Sequence, residues 1–154
     1  MNKIDNILKR VILLIWAIWS AIVTLSNISD GLKNAGIIPA WYKFVSGNFS
    51  YIQSATQIYS FPVWLNVILF MLVIILEAVM SFLFFRAFLK YCEEKAAIIT
   101  LPFLCGIILF GGFLIMDELL IAYDRLGSIE QSHLGFFSGL LISYLTIRLI
   151  SLKK

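Results

Sequence analysis

Residues 62–87 read PVWLNVILFMLVIILEAVMSFLFFRA. Between Pro62 and Arg86 the only charged side chain is Glu77. A bilayer core of roughly 30 Å takes about 20 apolar residues in a helix, so a run of this kind reads as a membrane span. Pro62 suits its start, where a missing N–H costs little.

Three further stretches read the same way, about 9–26, 100–123 and 132–150. Thr100 and Ser132 are expected as N-caps, with Pro102 in the first turn of the third span. The chain has 154 residues, 61% of them hydrophobic and 14% charged, and its mean hydropathy is +0.96. A soluble domain is about 45–50% apolar and about 25% charged, so lipid is the natural solvent here. The expected fold is all-α: a single integral membrane domain over 1–154, built as a bundle of four transmembrane helices.

The first 26 residues imitate a signal peptide, with Lys3, Lys9 and Arg10 before an apolar run. No small-x-small cleavage site follows, so a retained helix is expected. Nine of the twelve Lys and Arg fall before or at the start of the first span, at the end of the second span or between it and the third, or at or after the end of the fourth. The positive-inside rule then sets both termini in the cytoplasm. A Lys- and Ile-rich chain suggests a bacterial inner membrane.

The segment 27–61 between the first two spans would lie outside. It carries Trp41, Tyr42, Phe44, Phe49, Tyr51, Tyr59 and Phe61, with Trp64 just beyond. Aromatics of this kind settle at headgroup level, and short interfacial helices are expected. One would be opened by Pro39 and closed by Gly47. A second would be capped by Asn48, with Ile52, Ala55 and Tyr59 on one face.

Glu77 stands near the middle of its span, where a charge is costly unless it faces the bundle interior or a cavity. Asn66 lies eleven residues before it, about 20° from alignment on a helix, and Ser81 lies one turn beyond. The three form one polar stripe. Two roles stay open for Glu77: a proton relay, cation site or ligand contact, or a protonated glutamate that bonds a hydroxyl and locks the packing. Tyr144 is the expected hydroxyl.

Asp117, Glu118 and Asp124, with Glu130 and His133 across a short turn, make an acidic outer mouth. A cation or amine would suit it. A solvated helix end with local hydrogen bonds, to Asn66 among others, is the plainer alternative. One histidine and loosely spaced carboxylates do not make a metal site. Cys92 and Cys105 read as unrelated thiols, and no cofactor is expected. No Walker loop, nucleophile elbow, HExxH or CxxC motif is present in the sequence. No basic run interleaved with aromatics points to nucleic acid.

Gly135, Gly139 and Ser143 recur every four residues, the small-residue stripe that lets helices approach closely. It serves packing within the bundle, against Ala17 and Ala21 or Gly106, Gly111 and Gly112, or packing against a partner subunit or a second copy. Trp16 and Trp19 read as bulk on the first helix.

Several short stretches carry a resemblance. They are Ser26-Asn27-Ile28-Ser29-Asp30, Phe44-Val45-Ser46-Gly47-Asn48, Ile74-Ile75-Leu76-Glu77, Asp117-Glu118, and His133 followed by Phe136-Phe137. In that order the chain, from about Leu8 to Ile150, resembles a bacterial family of predicted small integral membrane proteins of unknown function. The resemblance implies four helices and an inner-membrane location, and no activity. It departs from the family at 57–61, where a longer polar stretch is expected.

Three functions compete at this point. One is a non-catalytic membrane component that packs with partner subunits or lipids. Another is a small carrier or proton-linked channel using Glu77 and the outer acids. The third is a lipid or quinone binder or an intramembrane enzyme, which a deep apolar pocket lined by Trp16, Trp19 and Tyr144 would favour.

Overall fold

The computed structural model describes residues 3–90, 96–120 and 129–152, which form five α-helices and, among the described residues, no strand. They are α1 (Lys3–Asn34), α2 (Asn48–Thr56), α3 (Val63–Leu89), α4 (Ala96–Leu119) and α5 (Ile129–Leu152), with a short 3-10 turn at Gln57–Tyr59. All but α2 are long and apolar enough to cross a membrane.

The surface supports the same conclusion. Large apolar side chains such as Ile15, Ile75, Ile108 and Ile142 stand more than half exposed along all four long helices. A soluble monomer rarely exposes apolar area on this scale. The chain is built as a multi-pass membrane protein.

Neighbouring long helices run antiparallel. Asn27 meets Glu77 and Ala17 meets Ser81, which pairs α1 with α3. Phe84 meets Phe103, which pairs α3 with α4. Phe103 meets Tyr144 and Phe113 meets His133, which pairs α4 with α5. Lys9 meets Ser151 and Trp16 meets Ser143, which closes α5 onto α1.

The main core lies toward the end of the bundle away from α2. It is built from Leu13, Ala17, Met80, Phe84, Phe103, Phe110, Leu140 and Ile147, all nearly or fully buried. Lipid is as apolar as these side chains, so close packing rather than the hydrophobic effect joins the helices. Gly106 is the tightest point, facing Leu140 and Met80.

Helix α1 differs from the expectation. It runs to Asn34, so residues 27–34, expected in the outer segment, lie alongside the first half of α3. Its buried stripe is Lys9, Leu13, Ala17, Ser20, Thr24, Asn27 and Asp30, at helical spacing of three and four. The upper half of that stripe is polar, and each side chain is satisfied. Ser20 and Thr24 donate to their own backbone one turn back. Asn27 and Asp30 find partners on other elements. An apolar count ends the helix where its inward face merely turns polar.

The outer segment also differs. Residues 39–47 form turns and extended chain, so Pro39 opens no helix. Only α2 and the 3-10 turn form there, α2 following a left-handed Gly47 at φ 78°, a conformation glycine reaches without steric cost. Thr100 and Ser132 do not cap: α4 already runs from Ala96 and α5 from Ile129. Pro102 therefore lies inside α4, where it withholds an N–H from the carbonyl four residues back.

Candidate functional site

Asp30 fixes α2 to the bundle. Its Oδ2 accepts the Phe49 N–H at 2.8 Å and the Ser46 hydroxyl at 3.3 Å, so an α1 carboxylate serves the first turn of α2, where negative charge is favourable. Phe49 then packs at a tilt against Phe70 of α3, ring centres 5.4 Å apart. The far end of α2 is held where the Thr56 hydroxyl donates to Asn66 Oδ1 at 2.8 Å.

Beneath α2 lies a partly open cavity of about 280 Å³. Its walls come from α2, α3, α4 and the start of α5, and most are apolar: Ile52, Leu69, Leu72, Val73, Leu76, Ile108, Leu109, Phe113 and Met116. Gly112 also lines it, and a Cβ there would meet nothing within 4 Å. The polar side chains on the wall are Asn48, Tyr51, Thr56, Glu77, Asp117 and His133.

Glu77 stands near the middle of α3 and is 4% exposed. Its Oε2 accepts the Asn27 amide at 2.6 Å. Asn27, fully buried, accepts in turn from Asn48 Nδ2 at 2.8 Å. Among the described residues Oε1 has no hydrogen-bond partner.

Asp117, also 4% exposed, uses both oxygens. Oδ1 accepts the Tyr51 hydroxyl at 3.2 Å, and Oδ2 lies 2.6 Å from His133 Nδ1. The imidazole is held from the other side by Phe113, centres 4.7 Å apart. Burial, then the Asp117 charge and hydrogen bond, push the Tyr51 phenol above its usual range.

The expected site residues therefore divide. Glu77, Asp117 and His133 share one cavity. Asn66 and Ser81 share the buried stripe of α3 without lining the cavity: Asn66 pairs with Thr56 rather than with the acidic end, and Ser81 donates to the Ala17 carbonyl. Tyr144 is not the partner of Glu77. Its hydroxyl lies 3.4 Å from Thr100 and its ring packs on Phe103. Phe103 in turn meets Phe84, about two turns or 10 Å along α3 from Glu77.

Glu118 faces outward and Glu130 is half-buried in the first turn of α5. Asp124 lies outside the described residues, as does Cys92. Among the described residues no group of three His, Cys, Asp or Glu is placed to hold a metal ion.

Within the small-residue stripe, Gly139 lies under the Trp16 indole and Ser143 accepts its N–H at 3.0 Å, while Gly135 is exposed. Gly106 and Gly111 face Leu140 and Phe137 of α5, but Gly112 faces the cavity. Trp16 and Trp19 belong to the aromatic core with Phe84 and Phe136 and do not line the cavity.

The sequence reading missed Asn27 and Tyr51. The three-four spacing of Ser20, Thr24, Asn27 and Asp30 is the signal that marks Asn27. Nothing local marks Tyr51 among the aromatics of its segment.

No family model matches the chain, and no match is found among curated proteins or solved structures. Of the family resemblance, its coarse implication stands: four apolar helices of membrane-spanning length.

Proposed function

We propose that this is a non-catalytic membrane protein that holds an amphiphilic, lipid-like molecule in the cavity beneath α2. The observation that carries the reading is the composition of that cavity: apolar walls with a buried carboxyl, Glu77, and the Asp117–His133 pair set into them. Ligand sites are mostly apolar with a few placed polar groups. At about 280 Å³ the space falls between a benzene-sized cavity of about 150 Å³ and pockets of about 300–1,000 Å³. It suits one ring system or a length of single chain, not a whole phospholipid.

The chain sits in a bacterial inner membrane with both termini cytoplasmic in this reading. The clustering of Lys and Arg supports that orientation. The exposed Trp41 and Trp64 support a headgroup-level position for the α2 end. The small-residue stripe supports packing within the bundle more than with a partner subunit or second copy, because Gly139 and Ser143 are covered by Trp16.

Gly112→Leu tests the reading. It fills the cavity from a position with open space and removes no hydrogen bond. Native mass spectrometry of gently extracted protein is expected to find a bound small amphiphile on the native sequence and to lose it in Gly112→Leu. Identical adducts on both proteins would overturn the proposal. A second reading, a proton-linked carrier, draws on the same exposure of Glu77 to the cavity. It predicts proton flux in liposomes that Glu77→Gln abolishes.

A further inference from the structure

Resting on the cavity reading above, we infer that the cavity selects its ligand by head group: it takes an amphiphile whose head donates hydrogen bonds, an ammonium ahead of a hydroxyl, and it rejects carboxylates and phosphates. Most polar side chains on the wall already have hydrogen-bond partners.

The donors are nearly spent. The Tyr51 hydroxyl goes to Asp117, the Thr56 hydroxyl goes to Asn66, and one of the two Asn48 Nδ2 protons goes to Asn27. His133 Nδ1 is engaged with Asp117. No Lys or Arg lines the cavity. Of the carboxyl oxygens on the wall, the second oxygen of Glu77 is left without a protein partner among the described residues. A wall that offers acceptors and two carboxyl groups complements a head that brings protons.

An anionic head would face two carboxyl groups with no Lys or Arg on the wall to pair with. A neutral hydroxyl can donate to Glu77. A protonated amine donates too and adds a charge-assisted bond, about twice as strong as a neutral one. Both oxygens of Asp117 already have partners, whereas one oxygen of Glu77 has none among the described residues. Glu77 is therefore the residue that reads the head.

Three probes with one chain length separate the cases: dodecylamine, dodecanol and dodecanoic acid, titrated calorimetrically at pH 7 into protein in a non-ionic detergent. Gly112→Leu is the control that subtracts partition into micelles. The amine is expected to bind about tenfold more tightly than the alcohol, with no binding of the acid beyond the control. Glu77→Gln, which keeps an amide oxygen for Asn27, is expected to bring the amine to the level of the alcohol.

An acid that binds as tightly as the amine overturns the inference, as does an amine preference that persists in Glu77→Gln. If Glu77→Gln does not fold, the ranking on the native sequence decides alone. Binding of the alcohol without amine preference sinks this inference and leaves the cavity reading intact. No difference between native protein and Gly112→Leu for any probe sinks both.

Discussion

The Asn27 amide donates to the Glu77 carboxyl at 2.6 Å, across the α1–α3 interface and near the middle of a membrane-length helix. Both side chains are buried, Asn27 completely. Asn27 also accepts from Asn48, so one residue couples the buried carboxyl to the first turn of α2.

Removing that amide leaves a buried carboxyl without its protein partner. Interhelical hydrogen bonds in membrane proteins average about 0.6 kcal/mol, but an orphaned buried polar group costs about 1–3 kcal/mol. Asn27→Ala is expected at the upper figure, read as a lowered midpoint of thermal unfolding in detergent. Ser26→Ala, which loses only a bond to the carbonyl of Val23 in its own helix, is expected within about 0.5 kcal/mol of the native protein. Equal effects would mean that the Asn27–Glu77 bond contributes nothing.

Glu77 was legible in the sequence because an acid in an apolar span must face inward. Its partner was not. A sequence gives depth along a helix but not which neighbour faces which side, and antiparallel packing places the expected Tyr144 about two turns away. The end of α1 was misread for a related reason. Asn27 and Asp30 look like the start of a loop, and only their partners on α3 and α2 make them interior. The joining of Asp117 to His133 was half visible, as two members of one acidic mouth, while Glu118 beside Asp117 points outward because adjacent residues on a helix do not share a face.

Tyr51 carries a pH prediction. Its phenol holds its proton more tightly folded than unfolded, through burial first and then the Asp117 carboxylate. Above pH about 10, the ordinary phenol value, the folded state therefore binds more protons than the unfolded one. Stability contributed by this group is complete below that pH and falls as pH rises beyond it. Unfolding midpoints measured between pH 9 and pH 11 (about one unit either side of that value) are expected to decline more steeply for the native protein than for Tyr51→Phe. Parallel curves would show that the phenol is not held by Asp117.

Gly106 and Gly112 predict opposite results from the same substitution. A Cβ at Gly106 would lie 2.7 Å from Leu140 Cδ1 and 3.0 Å from Met80 Sδ, and both of those side chains are fully buried. Overpacking of this kind costs about 1–3 kcal/mol. At Gly112 a Cβ meets nothing within 4 Å, and alanine gains about 0.8–1.0 kcal/mol of helix propensity. Thermal unfolding in detergent is expected to rank Gly112→Ala above the native protein and Gly106→Ala below it. The reverse order would contradict the placement of the cavity beside Gly112.

The proposed orientation in the membrane rests on where the bundle gathers its cations. Lys9 reaches Ser151 and Arg10 lies 5.5 Å from the Phe88 ring, so the start of α1, the end of α3 and the end of α5 meet at one end. Lys3, Arg86, Lys90 and Arg148 belong to the same helix ends, whereas the α2 end carries Lys33 and Lys43 among exposed aromatics. Cations near span ends are retained on the cytoplasmic side. With Cys92 and Cys105 replaced by serine, Trp41→Cys is expected to react with a membrane-impermeant maleimide on intact cells. Lys3→Cys is expected to react only after the membrane is opened. Labelling of Lys3→Cys on intact cells would invert the orientation and turn the α2 end, with the mouth of the cavity, toward the cytoplasm.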